Sequence, residues 1–118
     1  MADERLIAAL DVPTRADAEQ LVTRLGDSVS CYKVGMELFY ALGGNIVTWL
    51  KAREKKVFLD LKLHDIPNTV GNGLCSLLHL APAILNVHTA GGLRMMKAAA
   101  EALHRAAAEA DIPCPKLI

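Results

Sequence analysis

Residues 58–70 read FLDLKLHDIPNTV, and this stretch decides the fold. The apolar run Val57-Phe58-Leu59 leads straight into Asp60, Lys62, His64 and Asp65, four ionisable residues where a buried strand should end. Side chains alternate along a strand, so Asp60 and Lys62 share one face while Leu59, Leu61 and Leu63 share the other. The leucines would pack under helices and the charges would face a site. Two opposite charges about 4 Å apart at an effective dielectric of ~20 attract by roughly 4 kcal/mol, so the pair survives partial burial. A plain salt bridge ordering the strand end is the structural alternative. His64 falls past the expected strand end and reads as a hydrogen-bonding loop residue rather than a catalytic one. Asp65-Ile66-Pro67-Asn68-Thr69 is a turn into a helix, with Asn68 or Thr69 as its N-cap. Spacing alone does not say whether Asp65 reaches the same pocket as Lys62.

Outward from this stretch, one strand–loop–helix unit repeats. Leu6 to Leu10 is an apolar run ending at Asp11, and Pro13 breaks it. Thr14 followed by Asp17 reads as an N-cap with an acid three residues on, and Gly26 sits where a C-cap belongs. Cys31 to Val34 is a second strand, with a short helical stretch to Leu42 and a helix over 45–53. Val57 to Leu61 is the third strand, and a helix follows over about 68–79. Residues 83–87 form a fourth strand, followed by the tight turn Gly91-Gly92 and a long Ala-rich helix over 93–110. Lys116-Leu117-Ile118 opens a fifth strand.

Strand starts at 6, 31, 57, 84 and 116 lie 25, 26, 27 and 32 residues apart. Such βα units without hairpin signals imply a parallel sheet covered by helices. The choice lies between a (β/α)8 barrel and a doubly wound open sheet. A barrel of ~250 residues needs about 31 per unit. Residues 1–118 therefore read as the N-terminal half of one (β/α)8 barrel domain, four βα units and the start of strand 5.

Bulk properties exclude several function classes. The chain has 118 residues, 53% of them hydrophobic, which suits one folded domain rather than a disordered segment. Thirteen acidic residues balance thirteen basic ones, so no charge field draws nucleic acid. Cys31, Cys75 and Cys114 lack metal or CxxC spacing and read as buried free thiols in a reducing compartment. The start is acidic and polar without the apolar run of a signal peptide, and no stretch approaches the ~20 apolar residues of a membrane span. The expectation is a soluble cytoplasmic protein.

In both sheet architectures the site lies at the carboxyl ends of the strands. Asp11, Lys33, the Asp60/Lys62 pair and His88 all fall at such ends. Convergence of ionisable residues at four strand ends favours a site over an isolated ion pair. No Walker motif, GxGxxG or metal cluster of His, Cys and carboxylates is present in the sequence.

These residues also carry a resemblance. Asp60-Leu61-Lys62-Leu63-His64-Asp65-Ile66-Pro67-Asn68-Thr69 closely resembles the signature of the orotidine 5′-phosphate decarboxylase family. Leu10-Asp11-Val12, Lys33-Val34-Gly35 and Val87-His88-Thr89-Ala90-Gly91-Gly92 match the pattern in order and spacing. D-x-K-x-x-D alone marks only a wider barrel superfamily, and the HDIPNT continuation makes the match specific. The resemblance implies cofactor-independent, metal-free removal of CO2 from orotidine monophosphate, giving uridine monophosphate in pyrimidine biosynthesis. It implies Lys62 as proton donor to C6, Asp60 beside the leaving carboxylate, Lys33 holding the array and contacting the ribose, and Asp11 on a ribose hydroxyl. It also implies a homodimer in which Asp65, Ile66 and Thr69 reach the neighbouring subunit's site. The family's phosphate-gripping loops and arginine follow strands 7 and 8, beyond residue 118. Two other expectations stand beside this one. One is a metal-dependent sugar-phosphate decarboxylase or aldolase of the same superfamily, whose magnesium-binding glutamate would replace Lys33. The other is a catalytically silent half barrel that associates with a complementary half.

Overall fold

Five parallel strands occur in chain order in the computed structural model, which describes residues 2–118. They are β1 (Ile7–Ala9), β2 (Cys31–Gly35), β3 (Lys56–Leu63), β4 (Ile84–Val87) and β5 (Lys116–Leu117). The helices are α1 (Arg15–Leu25), α2 (Met36–Leu42), α3 (Asn45–Lys51), α4 (Pro67–Ser76) and α5 (Leu93–Glu109). The strand order is β1-β2-β3-β4-β5. A doubly wound sheet reverses its order at a switch point, whereas a barrel adds each strand beside its predecessor. The observed order is that of a barrel. The chain divides into two units, residues 1–60 and 61–118, with β3 crossing the division.

In the first unit β1 pairs with β2 (Ala9 opposite Lys33), and β2 with β3 (Gly35 opposite Asp60). Thr14 caps α1 as expected. Its hydroxyl oxygen accepts from the Asp17 amide at 3.1 Å and donates to the Asp17 carboxylate at 2.7 Å. Ala18 and Val22, one turn apart, are the residues α1 buries. Gly26 ends it with φ of 52°, a conformation that disfavours a Cβ. Beyond that end, the Lys55 ammonium donates at 2.8 Å to the carbonyls of both Gly26 and Val29. It supplies a partner to backbone groups that the finished helix leaves unsatisfied. Leu38, Ile46, Val47, Leu50, Val57 and Leu59 are buried, and each large side chain removed from water contributes roughly 1.5–3 kcal/mol. Tyr32 on β2 is also fully buried, and its hydroxyl has no hydrogen-bond partner. Burial pushes the Tyr32 phenol pKa up.

In the second unit α4 and α5 pack together. Met95, Ala99, Leu103 and Ala107 recur every fourth residue of α5 and are all buried. A Cβ at Gly71 of α4 would come within 3.1 Å of the Ala102 Cβ, so glycine permits the close helix approach. The Cys75 thiol, part-buried on α4, donates to the Ala102 carbonyl at 3.4 Å. Leu85 of β4 pairs with Leu117 of β5.

Several expectations need correction. Neither Asn68 nor Thr69 caps α4. The helix begins at Pro67, whose missing N–H and fixed φ suit the first helical position, and Ile66 before it is extended. Of the three cysteines only Cys31 is buried, and Cys114 is exposed. Desolvation is the chief cause of a raised Cys31 pKa. The third strand runs to Leu63 rather than Leu61, and it does so through an irregular residue, Lys62, described below.

Removing a buried hydroxyl that lacks a partner releases its desolvation cost. Tyr32→Phe is expected to raise the free energy of unfolding by about 1 kcal/mol, and Lys55→Met to lower it by about 1–3 kcal/mol. Urea titrations of the two variants check this, and a loss of stability in Tyr32→Phe would contradict the assignment.

Candidate functional site

Toward the carboxyl ends of β1, β2 and β3, two carboxylates gather around one ammonium. Lys33 follows Tyr32 on β2, so its side chain leaves the strand on the face opposite the buried phenol. Its Nζ lies 3.4 Å from Asp11 Oδ1 and 3.4 Å from Asp60 Oδ2. The Lys33 side chain is 25% exposed, Asp11 68% and Asp60 only 9%. Burial so deep is costly for a carboxylate unless it is paired and hydrogen-bonded. The Lys33 ammonium supplies the opposite charge. The backbone supports the geometry, because the Leu10 amide donates to the Lys33 carbonyl at 2.9 Å. Two carboxylates about one lysine leave a formal charge of −1 on this set, with Asp11 at its solvent side.

In the second unit Lys62 is exposed and has φ of 51°. An L-residue there carries a steric penalty of roughly 1–2 kcal/mol, and such residues cluster at functional sites. The strict alternation expected from Asp60 to Lys62 is therefore interrupted at Lys62. Its amide donates to the side-chain carbonyl Oδ1 of Asn86 at 2.8 Å. Regular pairing resumes next door, where the His88 amide donates to the Leu63 carbonyl at 2.9 Å.

His64 lies past the end of β3, as its sequence position suggested. Its ring stacks on His88, with centroids 5.3 Å apart and planes 21° from parallel. His88 Nδ1 accepts from the Ala90 amide at 3.1 Å, which places the proton of the neutral ring on Nε2. His64, Asp65, Ile66, Pro67, Ala90 and Gly91 line an open depression of about 550 Å³. Asp65 Oδ1 accepts from the Ile66 amide at 2.7 Å, tightening the turn into α4. Ile66 is 65% exposed, and Thr69 is exposed on the first turn of α4.

Of the residues singled out from sequence, the structure brings Asp11, Lys33 and Asp60 together. Lys62 lies on the same strand as Asp60, and Asp65, Ile66 and Thr69 form a separate surface beyond it. Asn86 and the His64–His88 stack escaped the sequence reading. A polar residue inside the apolar strand Ile84-Leu85-Asn86-Val87 was the available signal for the first.

Consecutive parallel βα units in barrel order, with an ionised set at the strand carboxyl ends, define the (β/α)8-barrel class. The profile described as orotidine 5′-phosphate decarboxylase / HUMPS family matches residues 4–112, and the chain belongs to that family. A protein named orotidine 5′-phosphate decarboxylase from Moorella thermoacetica is 46% identical over 117 residues, covering 99% of this chain and 46% of its own length. One of the same name from Enterococcus faecalis is 52% identical over 101 residues, 85% of this chain and 43% of its own. The crystal structure of orotidine 5′-phosphate decarboxylase from Lactobacillus acidophilus is similar with a TM-score of 0.84 at 42% identity, over 98% of this chain and 51% of that one. An uncharacterized conserved protein from Geobacillus kaustophilus gives 0.86 at 44% identity, over 95% and 52%. The chain spans about half the length of the curated relatives it matches.

Lys33→Met leaves the buried Asp60 without the ammonium beside it, and is expected to cost about 1–3 kcal/mol of stability. In an Asp60→Asn background the same change is expected to cost less, by at least about 0.5 kcal/mol. A double-mutant cycle by denaturant unfolding reads the coupling, and strict additivity would contradict a Lys33–Asp60 interaction.

Proposed function

We propose that this chain carries the catalytic strand ends of an orotidine 5′-phosphate decarboxylase, converting orotidine monophosphate to uridine monophosphate in pyrimidine biosynthesis. The observation that carries the reading is the Lys33 ammonium 3.4 Å from both Asp11 and Asp60, at three successive strand ends. Family membership supports the same chemistry.

In this reaction the bond from C6 to the carboxyl carbon breaks. CO2 departs and the electron pair stays on C6, which has no obvious electron sink. The protein must therefore hold positive charge where the pair develops and then deliver a proton there. Lys62 is assigned both tasks, its Nζ giving the proton to C6 and regaining one from solvent. A lysine suits this because its ammonium is compact and loses a proton, which a guanidinium does not. Asp60 is assigned the place beside the substrate carboxylate. Its negative charge opposes the bound carboxylate and that opposition falls away as neutral CO2 forms. Lys33 holds Asp60 in place and contacts the ribose, with the exposed Asp11 carboxylate taking a ribose hydroxyl.

No cofactor or metal takes part in this scheme. Asp65, Ile66 and Thr69 are assigned to a second subunit's site in a homodimer. Their exposure supports this, Ile66 above all, since an isoleucine 65% exposed on a loop gains from being covered. No described helix is long and apolar enough to cross a membrane, and a cytoplasmic biosynthetic enzyme is the proposed setting. Binding energy from a remote phosphate is what drives chemistry at a distant centre, so turnover depends on the parts of the barrel that grip it.

In a full-length or reassembled barrel, Lys62→Ala is expected to lower kcat/KM for uridine monophosphate formation by about 10³-fold or more, with EDTA leaving the wild-type rate unchanged. Near-native turnover by Lys62→Ala would overturn the role of Lys62. Inhibition by EDTA would point to the metal-dependent relatives instead.

A further inference from the structure

We propose that Asn86 is the positioning residue that fixes Lys62, a role that deepens the functional reading above and rests on it for its catalytic consequence. The two residues lie in the same unit, on β4 and at the end of β3. Lys62 has φ of 51°, and its amide donates to Asn86 Oδ1 at 2.8 Å. A left-handed residue turns its N–H away from the direction that a regular ladder requires. In this position the next strand answers with a side-chain carbonyl instead of a backbone one. The regular pattern returns one residue later, where the His88 amide donates to the Leu63 carbonyl at 2.9 Å. Asn86 thus bridges an irregular step between two strands.

The identity of the residue follows from this task. Asn86 is only 9% exposed, and its neighbours Ile84, Leu85 and Val87 are apolar. A buried amide is costly unless its polar atoms are satisfied, so an apolar residue would serve better if packing were the only demand. The bond to the Lys62 amide supplies the return. Loss of this bond removes a restraint on the left-handed φ of Lys62, and a shift toward an extended φ redirects its Cβ and with it the ammonium. Misplacement of a reacting group by about 1 Å costs on the order of 10²-fold in rate. Asn86 therefore acts through Lys62, and no contact of its own with substrate is required.

Two variants and one measurement on the unaltered protein test this. Asn86→Leu keeps the volume and removes the acceptor, and Asn86→Asp keeps the acceptor. In Asn86→Leu the Lys62 amide is expected to exchange with solvent at least tenfold faster, while the Val87 amide, held by the Ile118 carbonyl at 3.0 Å, keeps its wild-type rate. The kcat for decarboxylation is expected to fall on the order of 10²-fold with KM nearly unchanged. Asn86→Asp is expected to restore both. In the wild-type protein a through-hydrogen-bond NMR coupling between the Lys62 amide nitrogen and the Asn86 side-chain carbonyl carbon reads the bond even if Asn86→Leu does not fold. Absence of that coupling, wild-type exchange at Lys62 in Asn86→Leu, or faster exchange with kcat unchanged would each overturn the proposal. A full-length or reassembled wild-type barrel that makes no uridine monophosphate would instead refute the decarboxylase reading, and the coupling and exchange would still decide whether Asn86 fixes Lys62.

Discussion

One ammonium between two carboxylates organises the first half of this structure. Asp60 is nearly excluded from water on β3, just after the buried Val57 and Leu59, and a carboxylate there is costly unless it is paired. Lys33, two strand positions after the buried Cys31, carries the opposite charge to within 3.4 Å of it. Asp11 shares the same cation from the solvent side. The parallel register makes this meeting automatic. Ala9 lies opposite Lys33 and Gly35 opposite Asp60, so the three ends come level without any long connecting loop.

That arrangement explains why the site was legible in the sequence and why parts of it were not. Strand starts, the Thr14 cap and the Gly26 terminus follow from local rules that act over a few residues, and the structure has them where the pattern puts them. Charged residues at successive strand ends imply convergence because a parallel βα repeat brings those ends to one side. The missed features depend on partners far away in the chain. The left-handed Lys62 is set by Asn86, 24 residues on, and period-two alternation has no means of announcing it. His64 lies past the end of β3 as expected, but its stacking partner, His88, belongs to the next strand end and local pattern does not announce it. The expected cap at Asn68 or Thr69 gave way to Pro67, whose fixed φ starts the helix one residue earlier.

Strain and support occur side by side at the end of β3. Asp60 is buried and held by a cation, whereas Lys62 is exposed and held by its own backbone in an unfavourable conformation. A residue kept in a costly conformation by a specific partner is preorganised, since the cost is met during folding and not during reaction. Folding energy from the buried leucines and valines on both sides of this step supplies what the irregularity consumes. The depression lined by His64, Asp65 and Ile66 lies beyond it on a surface with a different character, open and partly apolar. The thirteen residues from Phe58 to Val70 thus contain a core strand, a held carboxylate, a strained lysine and an exposed loop in succession.

The proposed function requires these strand ends to receive a pyrimidine nucleotide. Titration of the isotopically labelled protein with uridine monophosphate, followed by NMR at the Lys33, Asp60 and Lys62 amides and the lysine Nζ groups, tests it most directly. Saturable shifts concentrated at those three residues are the predicted result. Resonances there that stay fixed while shifts appear elsewhere, for instance along the α4–α5 surface, or that stay fixed at every nucleotide concentration, would contradict it.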